Sequence, residues 1–194
     1  CSGLTSVKIP ASVTKLKESP FRTCSGLVSI TVDEKNPKYY SRNNCVIERA
    51  TSSLIIGIQT SKIPSEVKSI GDHAFSNCSG LTSVEIPEGI EEIGRMAFWN
   101  GFNISGTLEL PESLTSIGEM AFERCGFTGN LVISSGIKVI PSACFHDCSF
   151  DGNLILKEGV MNIEAGAFGS CKFRGELALP TTVREVGLGS FRGN

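Results

Sequence analysis

Phenylalanine recurs at positions 75, 98, 122, 145, 168 and 191, in steps of 23, 24, 23, 23 and 23 residues. Self-similarity at a period of 20–50 residues marks a chain built of stacked units, and it overrides any reading made segment by segment. An isoleucine or leucine twelve residues ahead of each ring keeps the same phase, as Ile63, Ile86, Leu110, Ile133, Leu156 and Leu179. Upstream, Ile9 (followed by Phe21) and Val32 continue the series, which makes eight anchors. The spacing is regular except for 31 residues between Val32 and Ile63.

Residues 81–100, LTSVEIPEGIEEIGRMAFWN, show what one unit contains. Val84 and Ile86 alternate with Ser83 and Glu85, the period of a half-buried strand. Pro87, repeated as Pro10, Pro64, Pro111 and Pro180, ends that strand because it has no N–H to donate. A second apolar pair follows four and seven positions after the anchor, as in Ile90 and Ile93 or Leu114 and Ile117. Gly71, Gly94, Gly118 and Gly187 come next and are expected at positive φ. The small residue before each ring (Ala74, Ala97, Ala121, Cys144, Ala167, Ser190) lets the ring turn inward. One unit cannot bury its own apolar side, so only stacking gives a continuous core. The expected fold is a β-rich solenoid of about eight coils, with short parallel strands, a second weak strand ladder and brief helical turns near each Phe. At about 4.8 Å per coil the rod is on the order of 38 Å long.

The chain of 194 residues reads as a single domain, 1–194, with a longer irregular repeat at about 32–62. There the apolar runs 45–47 and 54–58 flank the polar stretch 48–53, which predicts a hairpin-like excursion. Residue 1 lies eight positions before its anchor and residue 194 fifteen after the last, the same phase of a 23-residue unit. The array therefore starts and stops mid-pattern without a polar cap and reads as a piece of a longer one; neighbouring chains stacked on bare ends are the alternative.

These units resemble a known family. CSGLTSVEIPEGIEEIGRMAFWN is similar to the BspA-like leucine-rich repeat of bacterial cell-surface proteins, and GFTGNLVISSGIKVIPSACFHDC resembles its F-x-G-x-L-x-I variant. NPKYYSRNNCVIERATSSLIIG resembles the irregular N-x-x-Y segment of such arrays in gut anaerobes. The resemblance covers essentially the whole chain. It implies a β-rich right-handed solenoid, the leucine-rich-repeat superhelix, with secretion or surface display and adhesion or protein binding, and with no catalytic residues to carry over. Ser134 and Lys157 depart from the pattern at the proline, and Pro141 and Glu164 at the glycine.

Composition narrows the function. The net charge is −2 with no basic block, which argues against an electrostatic nucleic-acid binder. No apolar run approaches a membrane span, and the start CSGLTSVKIP has neither the basic nor the apolar region of a signal peptide. Extracellular or cell-surface placement rests on the family resemblance. Of eight cysteines, Cys1, Cys24, Cys78, Cys125, Cys148 and Cys171 all sit three after a Phe position, with Gly101 and Asn194 filling the gaps. A position repeated this regularly is a stacked ladder of small, partly buried residues, expected as free thiols. Parallel side chains on neighbouring coils suit a disulfide poorly, and the match of Cys1 to this ladder outweighs a lipidated N-terminus. The sharpest metal candidate is CFHDC, with Cys144, His146 and Cys148 and with Cys125 or Cys171 as further ligands. Packing roles account for both of its cysteines, so no metal site is assigned, and no cofactor. Asp72 and His73 sit in a turn, Glu91 and Glu92 on a solvated face, and no nucleophile, phosphate or zinc-protease motif is present. No catalytic residue is assigned.

The residue before each anchor faces out of the first ladder: Lys8, Thr31, Lys62, Glu85, Glu109, Val132, Ile155 and Ala178. Val132, Ile155 and Ala178 are expected to form a contiguous exposed apolar strip, the kind of surface that marks contacts. Glu85 and Glu109 continue it with charge. Trp99 and Phe102, in the 24-residue unit, break the pattern; Trp99 is either a binding hot spot or a cap on the local core. The second ladder's polar pairs read as a solvated face. Asn103 opens an N-x-S glycosylation pattern of little meaning in a bacterial protein. The expected function is a non-catalytic module contacting an extracellular protein or glycan, with a structural spacer that has no ligand of its own as the alternative.

Overall fold

Each repeat is one turn of a solenoid in the computed structural model, which describes residues 3–18 and 20–194; Cys1 lies outside the described residues. About eight turns stack. Among the described residues the strands are β1 (Ser6–Ile9), β2 (Ser29–Val32), β3 (Tyr39–Arg42), β4 (Cys45–Glu48), β5 (Ser53–Ile56), β6 (Ser69–Ile70) and β7 (Glu92–Ile93). They continue as β8 (Leu108–Glu109), β9 (Ser116–Ile117), β10 (Leu131–Ile133), β11 (Val139–Ile140), β12 (Leu154–Leu156), β13 (Asn162–Ile163) and β14 (Glu185–Val186).

The anchor positions give parallel pairs, β1 with β2 and β8 with β10 and β12, in which Leu131 faces Leu154 and Ile133 faces Leu156. The second apolar pair forms the other ladder, β5-β6-β7-β9 and then β11-β13-β14. Expected to be weak, this ladder is the more continuous of the two. It breaks between β9 and β11 for a covalent reason. The residue after each strand donates its N–H to the preceding coil: Gly94 to Ile70 O (2.7 Å), Gly118 to Ile93 O (2.7 Å), Glu164 to Ile140 O (2.9 Å). Pro141 holds that place in β11's coil and has no N–H to give.

The turns around each Phe correct the expectation of helix. Three alternate N–H groups point to the next coil: His73 to Arg95 O, Phe75 to Ala97 O and Asn77 to Trp99 O, at 3.0, 2.7 and 2.8 Å. Those between them close three-residue turns, such as Ala74 to Gly71 O and Ser76 to His73 O. With every second donor spent on a neighbouring coil, the 1-to-5 bonding of a helix cannot form. The residues two before and two after each ring take left-handed backbone: His73 (φ 56°) and Asn77 (56°), Met96 (51°) and Asn100 (62°), Met120 (55°) and Arg124 (58°).

The glycines after the second apolar pair are a further correction. Gly71, Gly94, Gly118 and Gly187 do not have positive φ. A Cβ on Gly118 would lie 2.4 Å from Arg95 N and 2.6 Å from Gly94 C, and one on Gly94 2.6 Å from Asp72 N. These glycines let backbone pack on backbone.

The first coils and the meander bury an aliphatic cluster around Ile9, Ile30 and Val46, and two aromatic columns run through the larger core among buried aliphatic side chains. Phe75, Phe98, Phe122, Phe145, Phe168 and Phe191 stack with centroids 5.0–5.5 Å apart. Phe127, Phe150 and Phe173 form the second, edge-on to the first at 6.1–6.5 Å. Burying each ring is worth about 1.5–3 kcal/mol, and each ring pair about 0.5–1.5 kcal/mol more.

The long repeat is more ordered than a hairpin excursion. β3, β4 and β5 form an antiparallel meander, with Asn43 (φ 50°) and Asn44 (φ 59°) making the first turn, and β5 pairs parallel with β6 to rejoin the stack. Buried Asn36 ties the meander to the first coil: its amide donates to Pro10 O and Val13 O, and its oxygen accepts from the N–H groups of Lys38 and Tyr39.

Candidate interaction surface

Glu109, Val132 and Ile155 lie side by side in register on the outward face of β8, β10 and β12. Ile155 is 43% exposed, Glu109 is exposed and Val132 is half-buried between them. The strip is shorter than expected. Ala178 is exposed but belongs to no strand, so only Val132 and Ile155 are ladder neighbours. Glu85 is likewise exposed and outside any strand.

At Glu85 the ladder opens. In the regular coils, Leu108 N–H donates to Asn130 O (3.0 Å) and Leu110 N–H to Val132 O (3.1 Å). The same register, moved back by one coil, would join Val84 N–H to Thr107 O and Ile86 N–H to Glu109 O, and neither bond forms. Two clefts flank residues 83–86. One of about 450 Å³ is lined by Lys62, Ile63, Val84 and Glu85. The other, about 550 Å³, is lined by Val84, Glu85, Glu88, Glu109, Glu112 and Lys157. The floor stays closed, since Ile86, Leu108 and Leu110 remain in the buried core. This break is absent from the sequence pattern, which alternates as regularly here as elsewhere.

Carboxylates set the charge of the larger cleft. Glu88 accepts from the N–H groups of Glu112 and Ser113. Glu112 is bound by Lys157 and Ser135, which hold its carboxyl below the usual range. Glu85 and Glu109 enter no ion pair among the described residues.

Trp99 is half-buried, and its indole N–H donates to Glu123 Oε2 at 3.1 Å, which ties the ring to the next coil. Phe102, on the loop beside it, is 54% exposed.

The cysteine column has chemistry beyond small size. The Cys125, Cys148 and Cys171 thiols donate to Phe98 O, Phe122 O and Phe145 O of the preceding coil, at 3.2, 3.0 and 3.1 Å. Asn194 donates its side-chain amide to Phe168 O in the same way. From Cys125 to Asn194 the position therefore supplies a short donor to a carbonyl of the preceding coil. The seven described cysteines are unpaired. Burial pushes the Cys125 thiol up to about 12, Cys45 and Cys78 up to about 11, and Cys144 and Cys148 higher than usual. Protonated thiols are poor nucleophiles and poor ligands. In CFHDC, Cys144 packs in the core, Cys148 bonds Phe122 O, and His146 Nδ1 lies 4.0 Å from Glu123. Among the described residues no three His, Cys, Asp or Glu side chains are grouped to hold a metal ion. Asp72 accepts from Arg95 N–H, His73 lies 3.5 Å from Glu18, and Glu91 pairs with Lys68, so these groups serve the stack and its surface.

A BspA-type leucine-rich repeat family model matches in six copies, spanning residues 1–98, 55–174 and 102–194. Solved structures share the fold. A leucine-rich repeat protein from Eubacterium ventriosum superposes with a TM-score of 0.73 at 22% identity, over 97% of this chain and 58% of its own. The pneumococcal vaccine antigen PcpA gives 0.56 at 20%, over 95% and 51%. The leucine-rich repeat protein of T. pallidum gives 0.50 at 19%, over 97% and 63%. The chain thus spans between about half and two thirds of these structures. No curated protein sequence matches it. Among the described residues no helix is long and apolar enough to cross a membrane.

Proposed function

Since the chain belongs to the BspA-type leucine-rich repeat family, we propose that it is a non-catalytic recognition module of a secreted or surface protein, contacting an extracellular protein or glycan in adhesion or host interaction. The observation that carries this reading is the in-register outward row of Glu109, Val132 and Ile155, which places apolar and charged side chains side by side on a hydrogen-bonded ladder. Such a row costs little ordering entropy when a partner binds, because its backbone is already fixed. Contact is weak per repeat and gains from array length and display density. The family's association with bacterial surface proteins supports placement outside the cell. A spacer that binds nothing is the second reading, favoured by the coil-to-coil bonding of the turns, which stiffens the rod.

Binding of the purified chain to immobilised host matrix proteins and glycans tests this, with the Val132→Asp/Ile155→Asp double variant beside it. Recognition predicts saturable binding that the folded double variant loses. A spacer predicts no binding up to high micromolar concentration and tolerance of charge at every outward position.

A further inference from the structure

We propose that the opening between residues 83–86 and 107–110 takes an extended cationic polypeptide segment, which adds as a strand along the unpaired edge. This rests on reading the chain as a recognition module and names the class of partner.

The first observation is an edge without a partner. The N–H and C=O groups of residues 83–86 bond nothing within the described protein, although the same sequence phase is paired in β8, β10 and β12. A strand edge beside a cleft is the geometry of strand addition, in which main-chain bonds give affinity and alternate side chains give specificity. The second is that the opening is confined to the rim. Ile86 is 7%, Leu108 2% and Leu110 4% exposed, so a segment lying there meets a finished apolar floor.

The third is charge. Glu85, Glu88, Glu109 and Glu112 line the cleft, against Lys157 as the one lining cation among the described residues, which is already engaged by Glu112. Glu85 and Glu109 are exposed on its two sides and enter no ion pair among the described residues. Side chains of an inserted strand alternate between the floor and the outward face, with outward ones about 7 Å apart. The complementary segment therefore alternates lysine or arginine, facing Glu85 and Glu109, with small or β-branched apolar residues over Ile86 and Leu108. The site lies where the steps are irregular, after the long repeat and beside the 24-residue step.

The probe is an end-capped peptide of alternating lysine and valine, titrated into the full chain at low salt. Its controls are the same peptide N-methylated on alternate residues, a glutamate–valine peptide, and chitosan oligomers as a cationic glycan. The proposal predicts one-to-one binding, weakened at least about tenfold by N-methylation and by the double variant Glu85→Gln/Glu109→Gln, and lost with the glutamate peptide. Val84→Pro removes an N–H that bonds nothing in the free protein. It is expected to melt like the parent yet lose the peptide. Equal affinity for the N-methylated peptide, wild-type affinity in the glutamine variant, or tighter binding of chitosan overturns the proposal. Absence of peptide binding alongside a partner lost in Val132→Asp/Ile155→Asp overturns this inference alone; absence of both overturns the recognition reading too.

Discussion

Gly118→Ala puts a methyl where the stack has no room. The added Cβ would lie 2.4 Å from Arg95 N, 2.6 Å from Gly94 C and 2.7 Å from Arg95 Cα, all main-chain atoms of the preceding coil. No side chain can swing aside. The coil is pinned there by Gly94 N–H to Ile70 O and Gly118 N–H to Ile93 O, both 2.7 Å. Overpacking of this kind costs about 1–3 kcal/mol, and a lengthened ladder bond adds about 0.5–1.5 kcal/mol. The gain from a stiffer unfolded chain offsets about 0.4–1 kcal/mol. The net expectation is a loss of about 1–3 kcal/mol, read as a lower urea midpoint at constant slope. Asparagine separates close approach from positive φ. At Gly89, with φ 97° and only Ser65 O near at 3.8 Å, asparagine should be milder than alanine because it tolerates left-handed backbone. At Gly118 asparagine should be at least as harmful as alanine. Neutral Gly118→Ala, or rescue by asparagine, would refute the close-approach reading.

Asn36→Ala removes four hydrogen bonds, two to the first coil and two to the start of the meander, and should cost about 2–4 kcal/mol in denaturant melts, with Asn36→Asp also destabilised by loss of its donors. Phe122→Ala, which touches Phe98, Phe127 and Phe145, should lose about 3–5 kcal/mol by calorimetry, more than truncating Phe191 at the end of its column. The folded Cys125 thiol titrates at about 12 against an ordinary 9.0, so above pH 9 the folded state holds the extra proton. Stability from this group is intact below pH 9 and falls as pH rises toward 12, by about 1.4 kcal/mol per unit. Melts from pH 8 to 11 should show the decline, and Cys125→Ala should make it shallower by this group's share while the buried Cys45, Cys78, Cys144 and Cys148 thiols keep theirs.

Much of the fold was legible because one side chain repeats in phase. The column from Phe75 to Phe191 and the Cys125, Cys148 and Cys171 positions could be placed from spacing alone. Other features depend on backbone geometry that leaves no residue signature. The left-handed positions beside the rings are filled by His73, Met96, Met120 and Arg124 as well as by Gly166, Gly189 and Gly193, so no consistent residue marks the turns as non-helical. The glycines that do recur serve close approach, and the same letter stands for both needs. The break at Pro141 follows from a missing N–H, but only once that N–H is known to bridge coils. The opening at residues 83–86 was beyond reach for a plainer reason. LTSVKIP at 4–10 and LTSVEIP at 81–87 differ by one outward residue, yet the first contains β1 and the second no strand. Pairing there is decided by the neighbouring coils, not by the segment.

Hydrogen exchange read amide by amide on the free chain tests the interrupted ladder most directly. An open ladder predicts near-unprotected exchange at Val84 and Ile86 beside strong protection at Leu108, Leu110 and Leu131, whose N–H groups reach the next coil. Protection of Val84 and Ile86 equal to that of Leu131 would mean the ladder closes across the coil and would contradict it.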